Sequence, residues 1–433
     1  MNAREEGRGI GVREKKVRSV AGGKGGKDAG LGIGGLIAGA FFVVLLLFFA
    51  GIFFSETGNA TEEGRRGEQG KGNPQALSGV SHPLLRGMAL GLHNGGEFDY
   101  RPAIDEIEEH GADAVEFVIP FFQCDVHSDT PGPRRGRTPP PDALANLIRY
   151  ARRRNLDVFL LPIVLLEKAG KREWRGRMTP TDTDLWWKNY RRLLLDVARA
   201  GEKGGAMALS VGSELVWSER FRWRWEDLIR RVRGTFSGYL LYSANWDHYE
   251  PVTFWQSLDA IGISGYYELT RNRKAGIEEL QRSWEKIRDE ILAWQATVGK
   301  PLVFTEVGYP AVDGGAVYPW NYTMEAERDD AEQARGIEAF RRAWRKTPQL
   351  AAAFIYEWGV PGDTENHYSP RGRVAETFLR RWFAADYAER KERRKRWNRE
   401  VEGKVTPAGG RKNKEKGWGK VAKRRDGERE EAE

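Results

Sequence analysis

The 433 residues allow one large domain with appendages, and the single cysteine, Cys124, excludes both an internal disulfide and a cysteine-based zinc site. The net charge of +8 comes from 70 Lys and Arg against 62 Asp and Glu; the excess sits mainly in the two termini, in segments without apolar periodicity, and does not describe a folded domain. The 16 Trp and 14 Tyr are many for this length, and such rings serve both core packing and a cleft that needs flat apolar faces.

In chain order, residues 1–30 form a basic segment carrying Arg13, Lys15, Lys16, Arg18, Lys24 and Lys27. Residues 31–54 hold no charge and no proline, and at ~1.5 Å per residue they reach across a hydrocarbon core of about 30 Å, which predicts a transmembrane helix. A cleaved signal peptide is the weaker reading, because the apolar run is long and no small-residue cleavage site follows. The excess of Lys and Arg before the run places the N-terminus in the cytoplasm and the rest of the chain outside. Residues 55–80, rich in Gly, Glu, Asn and Gln, read as a flexible tether.

From residue 81 to 385 the pattern alternates between strand-like and helix-like units. Strands are predicted at 88–93, 114–120, 157–164, the run ending before Glu214, 238–243, 259–264, the run ending at Glu306, and 351–357. Helices are predicted at 101–110, 141–153, 181–199, 225–233, 276–297 and 329–346; Pro141 suits a first turn, and Leu185, Trp186, Tyr190, Leu193, Leu194 and Val197 share one face. Eight strands in such alternation predict an α/β fold, a (β/α)8 TIM barrel, with a doubly wound open sheet as the alternative. Residues 386–433 begin with a run of Glu, Arg and Lys and read as a charged, disordered tail. If it contacts anything outside the membrane, anionic surfaces such as lipid head groups or envelope polymers are better partners than nucleic acid.

Two strand ends carry chemistry. Val303, Phe304 and Thr305 lead to Glu306 before a Gly308, Tyr309, Pro310 turn, and Ala208 to Ser213 leads to Glu214 about three βα units earlier. A parallel barrel keeps its reactive groups at the C-terminal ends of its strands. A lone Glu there is as readily a helix-start acid, but two at this spacing suit the acid/base and nucleophile of glycosidic cleavage. The histidines His93, His110, His127, His248 and His367 lack metal-ligand spacing, and the Gly-rich stretch at 21–27 lacks the strand-then-helix context of a phosphate loop. No metal or other cofactor is expected.

Several further patterns occur in a fixed order. They are Phe122 and Gln123; Trp174, Arg175 and Gly176; Val211 through Leu215; Tyr242 through Asp247; Ile261 through Tyr266; Phe304 through Pro310; and Trp358. Together they resemble glycoside hydrolase family 113, a β-mannanase family of clan A, over most of residues 86–383. The resemblance implies a retaining glycoside hydrolase with Glu214 as acid/base and Glu306 as nucleophile, a carbohydrate substrate, and no cofactor. It implies that Tyr266 hydrogen-bonds the nucleophile and that Trp358 floors the subsite of the cleaved sugar; an ordinary mouth tyrosine and a packed core tryptophan are the plainer readings. Asn245, Trp246, Asp247, Trp174, Arg175, Ser213 and Gln123 are further candidate substrate contacts, although Asn245 and Asp247 also suit a turn cap.

Two departures from the clan stand out. Ser213 occupies the position before the acid/base where most of the clan has Asn, though the family itself tends to be small and hydroxylic there. On the third strand, Leu161, Pro162 and Ile163 replace the usual Lys, Pro and His, which removes a cation and an imidazole from the cleft. The expected activity is therefore hydrolysis of a β-linked hexose polymer or oligosaccharide, mannan-like by family, by an enzyme anchored to the cell membrane. A catalytically weak barrel that binds envelope polysaccharide and tethers it to the membrane is the alternative.

Overall fold

The computed structural model describes residues 84–363 and 366–392. The expected transmembrane helix at 31–54, the tether at 55–80 and most of the tail lie outside the described residues. Among those described, no helix is long and apolar enough to cross a membrane.

Eight parallel strands, β1 (Leu85–Gly91), β2 (Ala114–Gln123), β3 (Asp157–Leu166), β4 (Ala208–Ser213), β5 (Tyr239–Asn245), β6 (Ala260–Ser264), β7 (Leu302–Val307) and β8 (Leu350–Ile355), run in sequence order. β8 hydrogen-bonds back to β1, so the barrel closes and the open-sheet alternative falls away. Among the described residues seven α-helices alternate with them: α1 (Arg101–Glu109), α2 (Pro141–Arg153), α3 (Thr183–Gly204), α4 (Arg222–Arg233), α5 (Ile277–Val298), α6 (Asp330–Trp344) and α7 (Val374–Ala384). The β5–β6 crossover has no α-helix among the described residues. A 3-10 turn, Trp255–Ser257, covers that sector with buried Phe254 and Trp255, which pack on Trp225 and Tyr242.

Strand alternation separates two cores. One face of each strand packs outward against the helices in a large cluster, while Ala89, Ala114, Val118, Phe159, Leu161, Ile163, Leu241, Val303, Ala352 and Phe354 fill the barrel interior. Gly87 admits the Phe354 ring, since a Cβ there would lie 2.5 Å from it. Helix ends follow their sequence signals. Asp182 and Asp329 cap α3 and α6 by accepting from Leu185 N and Glu332 N, and α3 and α5 end on Gly205 and Gly299 in the left-handed region.

The packed unit runs past the expected boundary at 385. Arg390 is buried, pairs with Asp113 at the start of β2, and donates to the Gly111 carbonyl at 3.3 Å.

Candidate active site

Both carboxylate-bearing strands carry one extra residue just before the mouth. Ser210 pairs with Leu241 but Ser213 with Ser243, and Ile263 pairs with Phe304 but Ser264 with Glu306. A bulge of this kind bends its strand and re-aims the side chain that follows. Glu214 then enters the left-handed region at φ 53°, a conformation that only its surroundings can hold. Its peptide N–H donates to the Ser243 carbonyl at 2.8 Å, and Leu215 N–H donates to the Tyr242 hydroxyl at 2.9 Å. That hydroxyl in turn donates a hydrogen bond to Glu219 Oε1 at 2.6 Å, so the turn after β4 is braced from β5.

The two carboxyls are brought together, 6% and 3% exposed. Glu214 Oε1 accepts from Ser264 Oγ, and Oε2 lies 2.8 Å from Arg175 Nη2. Glu306 Oε2 accepts from the Tyr266 hydroxyl at 2.6 Å. Burial pushes Glu306 up to about 7; the Glu214 charge adds to this, while Arg175 and the Tyr266 hydrogen bond pull it back. The site thus gives Glu306 a raised proton affinity and sets Arg175 beside Glu214, two carboxyls in unlike surroundings, as acid-plus-nucleophile chemistry requires.

Other groups around the pair escaped the sequence reading. Tyr356, two residues before Trp358, faces the barrel interior and meets Tyr266 and Tyr368 at ring distances of 6.1 and 5.9 Å. Inward alternation through Ala352 and Phe354 is the signal that points to it. Gly308 lets this aromatic wall close, since a Cβ there would lie 2.6 Å from the Tyr356 carbonyl. Glu116 on β2 is fully buried; burial and the Glu306 charge hold its carboxyl well above the usual range. Glu357, pushed up to about 7 by burial, accepts from Asn366 Nδ2 at 2.8 Å and stands with His93 over Gly91.

Of the remaining candidates, Ser213 ends β4 with its hydroxyl buried and unpartnered. Asn245 is half-buried at the end of β5 and donates to Asp247 Oδ1 at 2.5 Å. Trp246 packs edge-on against Tyr267 at 5.4 Å, and the Trp174 ring lies over Gly176. Two candidates are not at the cleft. Gln123 spends its amide on the Asp125 carbonyl at 2.7 Å and on Trp186 Nε1 at 2.9 Å, on the helix side of the barrel. Trp358 is also turned outward: its indole donates to Glu106 Oε2 on α1 at 3.0 Å and its ring packs edge-on against His110. β8 ends at Ile355, and the turn that follows breaks the alternation that would have aimed Trp358 inward. Among the described residues, no three His, Cys, Asp or Glu side chains are grouped to hold a metal ion.

The sequence model of Glycoside Hydrolase Family 113 matches residues 93–370, which is most of the barrel. No curated protein is similar to the chain in sequence. Among solved structures, a family 113 β-1,4-mannanase aligns with a TM-score of 0.62 at 22% identity, covering 69% of this chain and 98% of its own. The family 113 β-mannanase of Alicyclobacillus acidocaldarius, in complex with ManMIm, aligns with a TM-score of 0.61 at 24% identity, covering 70% of this chain and 97% of its own. At that identity the likeness speaks for the fold, and the family match for the descent.

Proposed function

The chain belongs to glycoside hydrolase family 113 and is a glycoside hydrolase, and we propose that it cleaves β-linked hexose polysaccharide, mannan-like in class, with retention of configuration. The observation that supports this reading is the buried Glu214 and Glu306 pair at the mouth, with a tyrosine on one member and an arginine on the other.

In the first half-reaction, Glu214 gives its proton to the glycosidic oxygen while Glu306 attacks C1, forming a glycosyl ester and releasing the leaving sugar. Tyr266 occupies Oε2, leaving Oε1 to approach C1, and its hydrogen bond favours the ionised nucleophile. In the second, Glu214, now a carboxylate, takes a proton from water as that water attacks C1 and frees Glu306. Arg175 must leave Glu214 before the first step, because an ion-paired carboxylate is no proton donor. Sugar hydroxyls entering the cleft offer the guanidinium new acceptors.

A mechanism-based label with a good leaving group, followed by peptide mapping, tests the assignment. Attachment to Glu306 and a product of unchanged anomeric configuration are expected. Polysaccharide binding without release of reducing ends, together with failure of the label, would replace this reading by the binding barrel.

The proposal extends to residues 1–80: a cytoplasmic basic segment, a membrane anchor at 31–54 and a tether that holds the barrel outside the cell. Protease added to intact cells or spheroplasts should digest the barrel. Protection until lysis would reverse the orientation.

A further inference from the structure

Exposed rings gather on one rim of the barrel. Among the described residues the exposed large apolar side chains are Leu185, Trp223, Tyr318, Trp320, Tyr322 and Val374; three of the six fall within five residues of the loop between β7 and α6. Tyr318 is 41% exposed, Trp320 47% and Tyr322 75%. That loop leaves the strand end that carries Glu306, so it stands on the mouth side of the barrel.

The rim is built onto the active site. Trp320 Nε1 donates to Glu268 Oε1 at 2.9 Å, two residues beyond Tyr266, which fixes the indole although half its surface is open. The Tyr368 hydroxyl donates to the Pro319 carbonyl at 2.6 Å, and its ring meets Tyr266 edge-on at 6.1 Å. Tyr318 and Trp320 stand edge-to-face at 6.2 Å. Contacts therefore lead from Glu306 through Tyr266 and Tyr368 to the backbone of the segment that carries the open rings.

Residues 314–323 contain no charged side chain, and Asp313 beside them is neutralised by Arg273 and Lys274. Solvated rings on a segment whose own side chains carry no charge suit a neutral ligand with apolar faces, which hexose rings present through their C–H groups.

We propose that Tyr318, Trp320 and Tyr322 form a stacking platform for sugar units beyond the cleaved bond, so that a neutral β-linked polysaccharide gains affinity with chain length. This rests on the glycoside hydrolase reading of the mouth and deepens it from a reaction to a substrate form, a long chain.

The test uses the full chain with Trp320→Ala, Tyr322→Ala and the conservative Trp320→Phe. Turnover is measured on a short aryl β-glycoside and on a ladder of mannan and glucomannan oligosaccharides up to polymer. Affinity electrophoresis in gels containing the same polymers reads binding alone. Each Ala variant should raise KM about tenfold on long substrates, the equivalent of ~1.4 kcal/mol, with kcat unchanged and the short glycoside within about twofold. Trp320→Phe should keep most of the affinity. Equal losses on short and long substrates, or none on either, overturn the platform. If the unmodified protein turns over no substrate, the proposed reaction fails by itself. The gels still decide the rim: lost retardation in the Ala variants supports it, and unchanged retardation overturns it.

Discussion

Arg175 Nη2 lies 2.8 Å from Glu214 Oε2, so the resting site neutralises the carboxyl that is to act as the acid, while the intended nucleophile carries the raised proton affinity. Catalysis needs the opposite preference, an ionised Glu306 and an acid free of its cation. For Glu214 to act as the acid, sugar binding has to draw Arg175 away from it.

Arg175 is expected to set the acidic limb of the pH profile. Glu306 must be ionised to attack, so kcat/KM rises as pH passes its pKa of about 7, which the Arg175 charge holds down. Removing that charge in Arg175→Met raises the Glu306 pKa and moves the acidic limb to higher pH. A limb that stays in place or moves to lower pH would show that Arg175 does not act on Glu306.

The two carboxyls should respond differently to replacement. Glu306→Gln and Glu214→Gln are each expected to lose on the order of 10³-fold or more in turnover on natural substrates. With the acid removed, substrates carrying good leaving groups still glycosylate Glu306, and azide, which needs no base, then attacks the intermediate. Glu214→Ala should therefore be rescued by azide, giving a glycosyl azide of retained configuration. Glu306→Ala should give no such product, and rescue in the opposite sense would exchange the two roles.

Tyr266→Phe removes one charge-assisted hydrogen bond to Glu306 and little packing. Such bonds contribute about 1.5–3 kcal/mol, so kcat/KM should fall roughly 10- to 100-fold. Because the bond lowers the Glu306 pKa, the acidic limb should also move up. A loss confined to KM would assign Tyr266 to sugar binding.

The strand frame was legible because its signals are local. Short apolar runs between helical patterns mark the strands, Pro141 marks a helix start, and Glu214 and Glu306 sit where those strands stop, while α3 runs on to Gly204, past the predicted end at 199. The bulges before both carboxylates were not legible, since an extra residue in one strand is visible only against its neighbour's register. Trp358 was misplaced for a related reason: strand period holds only while the strand lasts, and the inward aromatic is Tyr356. Arg175 was found as a sugar contact, but its pairing with Glu214 depends on how the loop after β3 folds back over the mouth. Glu116 escaped because a carboxyl inside a barrel breaks the apolar pattern on which the reading relied.

That carboxyl should leave a mark on stability. Glu116 has a folded pKa raised well above its ordinary value of 4.5, by burial first and then by Glu306. The folded state keeps the proton that the unfolded state gives up, so the contribution is complete below about 4.5 and is lost as pH rises toward the folded pKa. Glu116→Gln cannot titrate. Its melting temperature relative to the unmodified protein should rise between pH 5 and pH 8; a difference that does not change with pH would place the charge elsewhere.

Substrate preference should follow β3. Leu161 and Ile163 lie in the barrel interior with Phe159 and Phe354, and neither side chain offers a hydrogen-bond donor. Polar contacts with a sugar must come from elsewhere, and His93, Glu357 and Asn366 at the β1 and β8 ends are polar groups standing there. A sugar hydroxyl that finds no partner in a cleft forfeits the hydrogen bond it had with water, a penalty of about 1–3 kcal/mol. Hydrolysis of plain mannan is therefore expected to be slower than that of some other polymer, a β-linked glucan or a heteropolymer, with Trp174, Arg175 and Trp246 contributing to KM. Reducing-end release measured across a polysaccharide panel decides this, and a strong preference for unmodified mannan would show that the β1 and β8 groups make good the loss.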